Sequence, residues 1–167
     1  MKGECMKPEA NELVNSCYGH IYSYLYMMLK NTIDAEDATQ ETFYRFLSKE
    51  PETDSVEEAR KYLFRIAANI CRNYWKSGWY RRIVPDTEKV LLDEACAEED
   101  RERSLDLMKA MMALPKKYRN PLHLYYFEDL TIAEIAETLS EKESTVKTQL
   151  ARGRAKLKKE LGENYEI

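Results

Sequence analysis

The sequence predicts an all-α protein: two small helical domains joined by a flexible acidic linker, the C-terminal one a helix-turn-helix. Three observations carry this reading. Leu, Ala, Glu, Lys, Arg and Met, all good helix formers, fill long stretches that only 5 Gly and 5 Pro interrupt in 167 residues. No alternating apolar-polar run bounded by hairpin turns suggests a strand. Charge is segregated along the chain: residues 60–82 hold seven Lys and Arg and no acid, whereas residues 1–59 hold five bases against twelve acids. Blocks of opposite sign imply separate surfaces for separate partners.

The first clean helical pattern runs from Asp34 to Leu47. Ala35, Ala38, Thr39, Thr42, Phe43, Phe46 and Leu47 repeat at the spacing of one buried stripe. Asp34 stands where an N-cap is wanted, and Glu36 and Asp37 suit the positive end of the helix dipole. The opposite face carries Asp37, Gln40, Glu41 and Tyr44. A solvated surface would look similar, so this face alone does not name a partner.

A loop over Glu50 to Val56 leads to a longer helix from about Glu57 to Lys76. Ala59, Tyr62, Leu63, Ile66, Ala67, Ile70 and Tyr74 form its expected buried stripe. Lys61, Arg65, Asn69, Arg72 and Lys76 form a second stripe with no acid in it. Like charges at this spacing repel, so a one-sign face costs stability and hints at a polyanion. Trp75, Trp79 and Tyr80 follow beside Arg81 and Arg82, a pairing suited to unstacked bases over a phosphate backbone, with rings that cap a core as the plainer alternative.

Between roughly Arg82 and Asp100 the chain is least core-like, with Val84-Pro85-Asp86 and then an acidic run from Glu94. Within it Val90, Leu91 and Leu92 could form a short helix. The expected division is therefore residues 1–82, a linker over 83–101, and residues 102–167. In the last part Thr131 can N-cap a short helix, with Glu134 completing a capping box and Ile132, Ile135, Ala136 and Leu139 apolar. Ser140-Glu141-Lys142 makes a brief turn. A second helix begins near Glu143, with Val146, Leu150 and Leu157 inward and Ser144, Thr145, Lys147, Thr148 and Arg152 outward. Two short helices so joined match a DNA-binding helix-turn-helix, and hydroxyls, Lys and Arg reach base edges and phosphates. An ordinary helical hairpin with a basic outer face is the plainer alternative.

These segments, in this order, resemble the sigma-70 family of transcription initiation factors and its extracytoplasmic-function type. The resemblance spans about Leu13 to Leu161. DAEDATQETFYRFL resembles the family's core-polymerase-binding helix, and ARKYLFRIAANICRNYWKS its promoter-melting and −10-reading helix. The stretch from Leu114 to Leu161 resembles its −35-reading domain. The resemblance implies that Asp37, Gln40, Glu41 and Tyr44 dock on the polymerase. It implies that Lys61, Arg65, Asn69, Arg72, Asn73 and Lys76 face the −10 element, and that the loop near Thr53 to Val56 holds a flipped base. Ser144, Thr145, Lys147, Thr148 and Arg152 match the −35 contacts. RNA polymerase core enzyme and promoter DNA are the implied partners, with an anti-sigma factor as a further candidate.

Some positions depart from the family pattern. Ser140 and Glu141 replace the usual Gly and apolar residue of the turn, and Asn73 stands where Asp is common. Pro121 falls where the family runs helix, so that helix is expected to start late or bend. No phosphate loop, His-Glu metal pair or nucleophilic triad argues for an enzyme, and no cofactor is expected. Cys5, Cys17, Cys71 and Cys96 lack metal-site spacing and read as reduced thiols. The start of the chain lacks an apolar signal segment and no run suits a bilayer, so no membrane insertion and a cytoplasmic location are expected. A stand-alone helix-turn-helix regulator is the competing reading, which the acidic face and the all-basic stripe disfavour.

Overall fold

The computed structural model describes residues 9–77 and 98–162, which form seven α-helices and no strand. The first, α1, spans Ala10–Leu29. Its second half is apolar nearly all round, and Ile21, Tyr22 and Tyr24 to Leu29 are all buried. A helix of that kind belongs inside a protein. Accordingly α1 packs against α2 (Thr32–Lys49), α3 (Val56–Lys76), α4 (Glu98–Ala113) and α5 (Lys116–Tyr126). The remaining helices, α6 (Ile132–Leu139) and α7 (Glu143–Leu161), pack on each other, and α7 also lies on α5 and α4.

The helix ends follow local chemistry. Asn31, not Asp34, caps α2: its side chain accepts from the Asp34 amide at 3.0 Å, one turn earlier than expected. Asp34 sits in the first turn and instead accepts from the Tyr74 hydroxyl at 2.8 Å, tying α2 to α3. Ser55 caps α3 by accepting from the Glu58 amide, and Glu58 reaches back to the Asp54 amide at 2.8 Å. The expected capping box of Thr131 and Glu134 is present at the start of α6.

Most of the expected core is in place. Ala35, Ala38, Thr39, Thr42, Phe43 and Phe46 are buried, but Leu47 is 41% exposed, because the stripe drifts off the contact face as α2 nears its end. On α3 the buried face is wider than expected and takes in Phe64, Ala68 and Cys71, which meet α1 and the C-terminal half. Pro121 does not delay its helix: α5 starts at Lys116 and carries Pro121 buried inside it. The ring removes one backbone donor from the helix. Helix α4 begins at Glu98, inside the last residues read as linker. The rest of that linker, with Val90 to Leu92, lies outside the described residues, as do Trp79, Tyr80, Arg81, Arg82, Cys5 and Cys96. Cys17 and Cys71 are buried free thiols, and burial pushes both up from the ordinary thiol range. Among the described residues no helix is long and apolar enough to cross a membrane.

The two halves pack together. One continuous cluster of buried apolar residues runs from Leu13 to Leu157. Around it polar groups bridge the halves. The buried Tyr24 hydroxyl donates to Asn120 at 2.6 Å. Buried Arg119 donates to the carbonyls of Met112 and Leu114 at the end of α4 and of Met28 near the end of α1. Glu128, 2% exposed, accepts from His20 Nδ1 at 2.9 Å and from Arg60 at 3.3 Å.

Candidate functional site

Three exposed helix faces hold the residues singled out from the sequence, and they differ in chemistry. The first is on α2. Asp37, Gln40 and Tyr44 are exposed, the Tyr44 ring by 69%, and Glu41 is half-buried in an ion pair with Arg45 at 2.6 Å. Ile33 and Leu47 are also exposed. Positions 33, 37, 40, 44 and 47 follow one another at helical spacing, so acid, amide and three large apolar groups share one stripe. Sequence reasoning missed Ile33 and assigned Leu47 to the core. The signal that finds them is a second apolar series, offset from the buried one. Water-facing apolar side chains flanking an acid form a docking surface for a protein better than a purely solvated face.

The second face is on α3. Asn69, Asn73 and Lys76 are exposed, and Lys61, Arg65 and Arg72 are half-buried. The sequence shows no acid in this stripe, yet the folded chain supplies acid from elsewhere. Lys61 pairs with Glu134 and Arg65 with Glu137, both on α6. Arg72 donates to Asn69 at 2.9 Å and to the carbonyl of Leu139, at the end of α6, at 2.7 Å. The hydrogen bond to Glu134 raises the Lys61 pKa, and the same bond, with the Thr131 amide, lowers that of Glu134. Thus the like-charge repulsion along α3 is offset inside the molecule, by residues distant in sequence. Trp75 is half-buried with the Lys116 ammonium 4.8 Å from its ring centre, so this aromatic packs across the two halves. In the loop before α3, Thr53 is buried while Asp54 and Ser55 are exposed and engaged in capping.

The third face is on α7. Ser144, Thr145, Lys147, Thr148 and Arg152 are all exposed. The Thr148 hydroxyl donates to the Ser144 carbonyl at 3.0 Å, which leaves its oxygen outward as an acceptor. Ser144, Thr145, Thr148 and Arg152 line one shallow groove with Lys117, Tyr118 and Gln149. Two features aim this helix. Ser140 adopts φ 56°, ψ 44°, and the turn closes α6 through two backbone bonds, from Ser140 to Glu137 and from Glu141 to Ala136. That is the pattern of a Schellman ending, which a glycine usually makes. Gly153 lies against α5: a Cβ there would meet Leu122 Cδ1 at 2.8 Å, so the missing side chain lets the helices approach closely.

Comparison with known proteins finds two family matches, one in each half of the chain. Residues 13–81 match the family model for Sigma-70 region 2, and residues 104–157 that for Sigma-70 region 4. The chain is 31% identical over 163 residues to the ECF RNA polymerase sigma factor SigW of Bacillus subtilis, covering 90% of this chain and 87% of that protein. It is 30% identical over 131 residues to the RNA polymerase sigma factor SigV of the same organism, covering 78% of each. Its fold resembles that of the sigma factor RpoE in a co-crystal structure with the anti-sigma factor NepR from Bartonella quintana. The TM-score there is 0.73 at 17% identity, over 93% of this chain and 98% of that one.

Proposed function

The chain belongs to the sigma-70 family, with extracytoplasmic-function sigma factors as its relatives, and from that premise we propose the work of its three faces. It binds RNA polymerase core enzyme, recognises the −10 and −35 promoter elements, and promotes the DNA melting that opens transcription. The exposed stripe of α2, with Asp37, Gln40, Glu41 and Tyr44 and the flanking Ile33 and Leu47, engages the core enzyme. Lys61, Arg65, Asn69, Arg72, Asn73 and Lys76 of α3 engage the −10 element. Ser144, Thr145, Lys147, Thr148 and Arg152 of α7 enter the major groove at the −35 element.

The observation that carries this reading is the exposed first turn of α7, hydroxyls followed by Lys147 and Arg152, presented by a helix-turn-helix whose capping box and closing turn are both formed. The domain division follows: residues 1–82 for core and −10 contacts, a linker over 83–101 into which α4 extends, and residues 102–167 for −35 contacts. The protein performs no catalysis and needs no cofactor, since the polymerase forms the phosphodiester bonds. Its place is the bacterial cytoplasm, where core enzyme and promoters are. The related Bartonella quintana factor was solved with an anti-sigma factor, which makes a protein of that kind a candidate partner here too.

The test is in vitro transcription with bacterial core polymerase over a promoter library. Wild-type chain should direct initiation from a defined subset. Charge reversal at Asp37 and Glu41 should abolish it while the circular dichroism of the chain stays the same. If wild-type chain fails to bind core enzyme, the reading falls.

A further inference from the structure

Gln149 of α7 carries a polar atom that the fold leaves without use. The side chain is half-buried, and its oxygen Oε1 is buried and meets no hydrogen-bond donor among the described residues. A buried acceptor without a donor is costly, so no hydrogen bond at that oxygen holds the carboxamide in its present pose. Thr145, Gln149 and Arg152 follow one another at offsets of four and three, which puts them on one side of the helix. Gln149 lines the groove that Ser144, Thr145, Thr148 and Arg152 form against Tyr118 of α5. A rotation of the side chain alone therefore carries the orphaned oxygen from the flank of α7 into that groove. The sequence pattern had placed Gln149 with neither the inward nor the outward residues of α7.

We propose that Gln149 is a specificity-determining residue that reads an adenine of the −35 element. The proposal rests on the reading of α7 as the −35 helix and adds which base one of its side chains selects. A carboxamide offers an acceptor and a donor side by side. The major-groove edge of adenine offers the complement, its N6 amino group as donor and N7 as acceptor, so the two edges match in two hydrogen bonds. The other bases lack that pair: guanine presents two acceptors, cytosine an amino donor, and thymine an acceptor beside a methyl group. Lys147 and Arg152 carry charges that a phosphate satisfies as well as a guanine edge does, so their presence alone leaves the sequence open. Gln149 has no charge to spend on the backbone. Its swing into the groove breaks no hydrogen bond at Oε1 and gains one there, so the orphaned oxygen favours the base-reading pose once DNA is in place.

The test uses the full chain with bacterial core polymerase and promoters randomised across the −35 element, the yield of each transcript being read by sequencing. Wild type should prefer adenine at one position by about tenfold or more, the size of a good bidentate pair. Q149M keeps the length and bulk of the side chain and removes both polar atoms of the amide. It should lose the preference at that position and keep the preferences elsewhere. Its thermal midpoint should be no lower than that of wild type, since an unpaired buried acceptor has gone. Q149E should move the preference at the same position from adenine to cytosine, whose N4 amino group donates to a carboxylate. If Gln149 only packs against Tyr118, Q149M keeps every base preference of wild type, and that result overturns the proposal. A Q149M variant that lowers transcription from all promoters alike overturns it too. A wild-type chain with no base preference anywhere in the −35 element sinks the −35 reading of α7, and the adenine contact with it.

Discussion

Ser140 has a left-handed backbone, φ 56°, that costs a residue with a Cβ about 1 kcal/mol and a glycine almost nothing. Ser140→Gly should therefore raise stability by about 1 kcal/mol, read as a shift of the thermal midpoint, with promoter binding unchanged. Arg119 is the opposite case. The residue is 5% exposed, its guanidinium reaches three main-chain carbonyls, and burial pushes its pKa down to about 10. Arg119→Met should cost about 3 kcal/mol in chemical denaturation, because buried carbonyls lose their donor. Residue-scale features were legible in the sequence where the cause is local. The Thr131 and Glu134 capping box depends on four neighbouring residues and was readable, and so was the departure at Ser140. Asp34 misled because its type suits a cap, while Asn31 one turn earlier had no apolar series after it to mark the start.

At the scale of the helix, α7 offers the cleanest separation of roles. Lys147→Ala and Arg152→Ala should each weaken binding to a −35 duplex by about 1–3 kcal/mol if the side chain meets a base, and lower the salt slope by about 1 if it meets a phosphate. Titrating the duplex at several salt concentrations distinguishes the two. Gly153→Leu should cost about 2 kcal/mol of stability, since α5 leaves no space for the new side chain. The pairing of α3 with α6 also carries a pH signature. The Glu134 pKa is lowered in the fold from its ordinary 4.5, so its stabilising effect is present above that value and is lost as pH falls through the lowered pKa. The Lys61 pKa is raised from 10.5, so its effect is present below 10.5 and is lost only as pH rises through the higher value. Wild type and E134Q should thus differ in stability from about pH 5 to 10 and converge in acid, as measured by denaturant midpoints across pH. The helices themselves were legible from periodicity. Leu47 was assigned inward because its spacing fits the stripe, and only the end of the packing partner decides where a stripe stops being covered.

For the whole molecule, the join between its halves is the feature least visible in the sequence. Lys61 and Arg65 read as a cationic row because the acids that meet them most closely, Glu134 and Glu137, lie on a helix in the other half of the chain. No local pattern carries that pairing; only the folded topology brings the two together. Glu128→Ala should loosen this join by about 3 kcal/mol, since it strips a buried carboxylate from Arg60 and His20, and small-angle scattering should report a more extended chain. Tyr24 gives the join a further meaning. Tyr24 sits on α1 and is fully buried, yet the acceptor of its hydroxyl, Asn120, belongs to the other half. Each half made as a separate polypeptide would bare an orphaned polar group beside a wide apolar patch, and should be sticky and poorly soluble. Produced in one cell, the two fragments should find each other and copurify, each acting as the other's chaperone.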